Sequence, residues 1–110
     1  MRSITVVSLL VVLLLPAVTD AGQVYGTIVM GGQGVKDAAV EIKCGDAAAA
    51  TGSTAADGAY RINVPQQGQC TLALPAYAGA SIVVFSSPNP ALYNLELVRL
   101  ADGKHELRRR

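Results

Sequence analysis

"STAADGAYRINVPQQGQCTLALP" (residues 53–75) is the stretch that decides the fold class. In 59–64, Tyr60, Ile62 and Val64 alternate with Arg61 and Asn63. In 70–74, Cys70, Leu72 and Leu74 share one phase. A two-residue period puts one set of side chains on the buried face of a β-strand and the other in water. Asp57-Gly58 is a hairpin signal, because both residues tolerate the positive φ of tight β-turns. Pro65 and Pro75 close the two strands, since proline has no amide to give to a ladder. The stretch therefore reads as the corner of a β-sheet, and none of its residues needs a reaction to explain it.

The same pattern extends outward. Residues 23–30 (QVYGTIVM) are rich in Val, Ile and Tyr, and 31–38 form a glycine-rich turn. In 39–44, Val40, Ile42 and Cys44 point one way, Glu41 and Lys43 the other. The pattern fails over 45–57, which reads as a loop with a short strand at Thr51–Ala55. The run 81–86 (SIVVFS) is apolar in both phases, as a strand near a sheet centre is. Over 91–100, Tyr93, Leu95 and Leu97 alternate with Asn94 and Glu96. Residues 101–110 hold a second Asp-Gly pair and a basic end. That tail reads as solvated and fraying, the alternative being a short last strand over Glu106–Arg110. Six strands and a candidate seventh, punctuated every 8–12 residues or so, predict an all-β fold: a single antiparallel β-sandwich with two inward-facing apolar sets.

The first 21 residues read differently. A basic start (Met1, Arg2), an uncharged apolar run from Ile4 to Val18 and small residues around Thr19 and Ala21 have the three-part form of a secretory signal peptide. Cleavage after Ala21 leaves Gly22–Arg110 as the mature domain. The rival is a retained anchor, but the apolar run is shorter than the roughly 20 residues that span a bilayer as a helix. The expected location is periplasmic or extracellular, with no stable membrane span after cleavage.

Lys and Arg number 9 against 8 Asp and Glu, a net charge of +1, which argues neither for nucleic acid nor for an acidic substrate. Aromatic residues are few and Trp is absent, which weighs against stacked sugars. The two cysteines, Cys44 and Cys70, sit in an exported chain and both fall in the inward phase of their strands. An oxidising compartment favours a disulfide between them, tying 39–44 to 70–74 through the core. The alternative is two separate buried thiols.

The run "VYGTIVMGGQGVKDAAVEIKC" followed by "TGSTAADGAYRINVPQQGQCTLAL" resembles the carboxypeptidase regulatory-like domain, a transthyretin-like β-sandwich. The likeness rests on Gly26, Ile28, Gly34, Asp37, Ala38, Val40, Ile42, Gly58, Tyr60, Ile62, Gly68, Cys70 and Leu72, and it covers about 23–100. These are turn glycines and core apolars, which specify fold far more than function. Most such domains carry Tyr where this chain has Cys70. The C-terminal part, from Ser86 onward, looks like that of small stand-alone exported bacterial members of the group. What the resemblance implies is a non-catalytic accessory or binding module.

His105 is the one histidine, and it stands in the tail as a solvated surface residue, so neither a metal cluster nor a Ser-His-Asp triad is expected. The "MGGQGV" run has no following helix and no Lys-Ser/Thr pair, so it is a turn and not a phosphate cradle. The purine-pathway hydrolases of transthyretin-like fold use several histidines and a Tyr-Arg-Gly-Ser ending that this chain lacks. A Lys–Asn isopeptide would need a lysine on the first strand, and there is none. The end "LRRR" (107–110) offers a modest, salt-screened attraction to anionic surfaces. The expectation is no enzyme activity and no cofactor, with an unknown protein or envelope component as partner. The alternative is a carbohydrate-binding module using the end loops Gly31–Asp37, Gly45–Thr51 and Ala76–Ala80. Tyr77 is the one aromatic residue in those loops.

Overall fold

The computed structural model describes residues 22–110, so the signal segment lies outside the described residues. The described chain is all-β and forms two sheets from ten strands: β1 Gly22–Met30, β2 Gln33–Gly34, β3 Ala39–Lys43, β4 Ala50–Ser53, β5 Ala59–Val64, β6 Gly68–Ala73, β7 Ser81–Ser86, β8 Ala91–Leu92, β9 Leu95–Arg99 and β10 His105–Arg109. β1 is the spine of the six-stranded sheet. It pairs antiparallel with β5 and β2 on one flank and parallel with β8 and β9 on the other, and β10 closes that flank against β9. The four-stranded sheet runs β4-β3-β6-β7, antiparallel throughout. The sandwich is therefore mixed where a wholly antiparallel one was expected, because β8 and β9 return along β1 in its own direction.

The inward phases stand as the alternation reads them. Val40, Ile42 and Cys44, Tyr60, Ile62 and Val64, Cys70, Leu72 and Leu74, and Tyr93, Leu95 and Leu97 are all buried. They meet Val24 and Ile28 of β1 and Val84 of β7 in one core. Truncating a fully buried member such as Leu72 costs about 2–5 kcal/mol, the lost transfer energy plus the cavity.

The run 91–100 is not one strand. It is interrupted at Tyr93 and Asn94, and the cause lies on β1. Gly26 presses so closely on the Tyr93 carbonyl that a Cβ would collide with it. Asn94 Oδ1 there accepts from the Thr27 amide (3.1 Å) and from the Thr27 hydroxyl (3.2 Å). A side chain thus takes over where the ladder breaks.

Three other expectations change. β7 is an edge strand, not a central one; its even residues face the core while Val83 and Phe85 are 47% and 57% exposed. The Asp57-Gly58 turn closes no hairpin: it carries the chain from β4 in one sheet to β5 in the other. The tail does not fray. Residues 105–109 form β10, with Leu107 opposite Leu97 and buried, because one more inward apolar residue repays ordering the strand.

Thr54 is a core anchor that the alternation does not mark. Its Oγ1 accepts the Ala38 amide at 2.8 Å, and its own amide donates to the Ala38 carbonyl at 2.9 Å. These bonds hold the turn before β3, where Asp37 takes φ 56°.

Candidate functional site

Cys44 and Cys70 are joined in a disulfide with Cα atoms 4.2 Å apart. The β3–β6 register pairs Lys43 with Thr71, which puts the two cysteines directly opposite at the end of the ladder. The bond therefore joins neighbouring strands of one sheet, where a tie through the core was expected. Its sulfur atoms are buried in the sandwich and are spent on structure.

The three loops considered for a ligand do not share one end. Antiparallel pairing of β3 with β6 puts 31–37 and 76–80 together at the start of β3, whereas 45–49 follows the other end of that strand. Tyr77 packs on the core and meets His105 edge to face, with ring centroids 5.2 Å apart. His105 is accordingly half-buried in β10, not a solvated tail residue, and its Nδ1 is shielded without a hydrogen-bond partner. Its amide donates to the Ala78 carbonyl at 2.8 Å, which docks the middle of the 76–80 loop onto the six-stranded sheet.

Two side-chain clusters have a built character. The first is on the outer face of β1 and β5. The register sets Gln23 opposite Asn63 and Tyr25 opposite Arg61. Gln23 donates to Asn63 Oδ1 (3.0 Å) and accepts from Arg61 (2.6 Å), while the guanidinium lies 5.0 Å from the Tyr25 ring centroid. An open cavity of about 470 Å³ adjoins, lined by Tyr25, Arg61, Tyr60 and Ser53 among others. The outward phase of 59–64 contains Arg61 and Asn63, but only the pairing with β1 brings them to Tyr25 and Gln23.

The second feature centres on Tyr93. Its carbonyl accepts the Tyr60 hydroxyl at 2.7 Å, its hydroxyl accepts the Phe85 amide at 2.9 Å, and the Arg109 guanidinium stands 4.9 Å from its ring centroid. One residue thus links β5, the edge of β7 and β10. Burial, with the neighbouring Tyr93 second, raises the Tyr60 pKa well above its ordinary value. Because an unfolded tyrosine ionises near pH 10 while the folded one resists, the unfolded state holds fewer protons above that pH and stability falls as pH rises. Tyr60→Phe is expected to cost about 1 kcal/mol at neutral pH. It should also flatten the alkaline loss between roughly pH 10 and 12 by up to one proton's worth. Urea midpoints across that range check it; an unchanged slope would refute the assignment.

Among the described residues no three His, Cys, Asp or Glu side chains gather as a metal site, and no helix is long and apolar enough to cross a membrane. No family model matches the chain, and no curated protein matches it. Among solved structures it is similar to a DUF3823 family protein from Parabacteroides merdae, with TM-score 0.55 and 14% identity, over 69% of this chain and 45% of that one. The likeness is one of fold, and the chain spans less than half the length of that neighbour.

Proposed function

We propose that the chain is a non-catalytic exported module that mediates contact with a protein or another envelope component. The observation that carries this reading is β7, a sheet edge that shows Val83 and Phe85 to solvent while the alternate residues fill the core. Large apolar side chains on an open edge invite association. The formed disulfide suits a non-cytoplasmic compartment and supports export; cleavage after Ala21, with a mature domain over 22–110, belongs to the same proposal.

The carboxypeptidase regulatory-like reading belongs to the same proposal. Motif residues that are far apart in sequence lie together: the Ile28 amide donates to the Gly58 carbonyl at 2.9 Å, and a Cβ on Gly34 would collide with the Asp57–Gly58 peptide. Such packing explains why those positions are glycine, and it supports the fold-level kinship without assigning a partner.

Crosslinking in the producing cell tests the role. The expected result is one recurrent envelope-located partner, with the captured protein beginning at Gly22 by intact mass. Repeated capture of nothing above background would overturn it. A second reading, polysaccharide binding, is favoured by the Tyr25–Arg61–Gln23 cluster and its cavity, and no longer by Tyr77. Retention in affinity electrophoresis, lost in Arg61→Ala, is its signature.

A further inference from the structure

β7 is an uncharged edge strand of the four-stranded sheet. In the β6–β7 ladder, residues alternate between facing the partner strand and facing away. The Phe85 amide is turned to the Tyr93 hydroxyl and so away from β6. The Leu74 amide donates to the Ala80 carbonyl at 3.0 Å, which marks the even positions as those bonded to β6. Ser81 and Val83 therefore turn their amides and carbonyls outward with Phe85. Tyr93 occupies the Phe85 amide, and among the described residues the Val83 amide and carbonyl, turned from β6, have no hydrogen-bond partner.

The other edges are guarded. β4 is short, and its Gly52 lies against the Ile62 side chain of β5, so β4 and β5 shield one another. β10 carries Glu106, Arg108 and Arg109. β7 itself has no charge, no proline and no bulge, and its neighbour along the side of the sandwich is β10. At its Phe85 end stands Arg109, held over the Tyr93 ring. The one ion pair among the described residues is Arg108 with Glu106 at 3.5 Å, so Arg109 has no carboxylate there.

We propose that β7 receives an extended segment of a partner protein, which adds to the four-stranded sheet by backbone hydrogen bonds at Val83 and presents a carboxylate to Arg109. This deepens the binding-module reading and rests on it. Strand addition takes its affinity from main-chain bonds and its selectivity from alternate side chains. Here the selective features are apolar contact with Val83 and Phe85 on the outer face and an acidic group beside Arg109. A second copy of this chain fits less well, because Ser81–Ser86 contains no carboxylate to meet Arg109. One Val and one Phe also expose far less than the roughly 800 Å² per partner of a stable interface, so apolar contact alone does not suffice and the backbone must contribute.

The test is selection of a random ten-residue peptide display library on the purified protein. Enriched peptides are expected to alternate apolar residues and to carry Asp or Glu near one end. N-methylation of the selected peptide should weaken binding at least tenfold at alternate positions only. Val83→Pro should do the same, and since the Val83 amide is outside the β6 ladder this variant keeps the sheet, which melting confirms. Arg109→Glu should abolish the preference for acidic peptides. No enrichment, or binding indifferent to N-methylation, overturns the proposal even if Val83→Pro fails to fold. A dimer in sedimentation that Val83→Pro dissociates, with no peptide bound, replaces the partner by a second copy. A recurrent crosslinked partner in the cell together with failed peptide selection leaves the module role standing and removes only this surface.

Discussion

Reduction of the Cys44–Cys70 bond is expected to lower the melting temperature by roughly 15–25 °C. The bond closes a chain of sequence separation 26. Loop-closure arithmetic for that length gives about 3.5 kcal/mol of lost denatured-state entropy, and a small domain shifts about 4–8 °C per kcal/mol. The topology shows what the loop contains. Between the two cysteines the chain forms β4, crosses to the other sheet as β5 and returns as β6. The bond pins the two ends of that excursion on adjacent strands, so the unfolded chain loses freedom over a segment that holds both sheets together. Against a net stability of about 5–15 kcal/mol this is a large share. Calorimetry with and without reductant, with free thiols verified by mass, decides it; the double variant Cys44→Ala/Cys70→Ala should match the reduced protein. Equal melting in both states would show that the bond adds nothing to the fold.

The second large effect is a contrast between two turns of the same local sequence. Ala-Asp-Gly occurs at 56–58 and at 101–103, and the two turns are built alike. Gly58 and Gly103 each have φ +87°. In each, the Asp carboxylate accepts the amide two residues on, Ala59 in one and Lys104 in the other, at 3.0 Å. Their surroundings differ. A Cβ on Gly103 meets nothing within 4 Å, whereas one on Gly58 would collide with the Ile28 carbonyl and lie 3.0 Å from Gly34 Cα. Gly103→Ala should therefore cost only backbone strain, about 1–2 kcal/mol. Gly58→Ala adds the displacement of packed backbone and should cost about 3–5 kcal/mol, enough to leave little folded protein. Urea unfolding of the pair is the measurement. Variants that agree within about half a kcal/mol would mean that the packing at Gly58 is not a constraint.

The two candidate surfaces were legible to different degrees. Arg61 and Asn63 belong to the outward phase of their strand, which alternation alone identifies. That they meet Tyr25 and Gln23 depends on β1–β5 register, which no local pattern reveals. The exposed edge was hidden by its own composition. SIVVFS is apolar in both phases, and such a run is what a strand covered on both faces also shows. Periodicity reports how apolar each face is, not whether a neighbour covers it. His105 illustrates the converse: it looks like a free polar group in sequence, and in the fold its ring lies against Tyr77.

The sequence by itself determined the strand class, the inward phase of the alternating strands 39–44, 59–64, 70–74 and 91–100, the ability of Cys44 and Cys70 to share a face and the positive φ of both Asp-Gly turns. All of these depend on residues within a few positions of one another, where side-chain alternation and φ preference suffice. Tertiary structure decided which strands are neighbours: that β4 and β5 part company across the sandwich after the same turn that makes a hairpin of β9 and β10, that β8 and β9 run parallel to β1, and that β7 ends a sheet. The physical reason is that backbone donors and acceptors are identical along every strand, so local sequence leaves partner choice open. The joint burial of Val24, Ile28, Leu72 and Leu95 in one core, together with close contacts only glycine permits at positions 26, 34 and 58, fixes it.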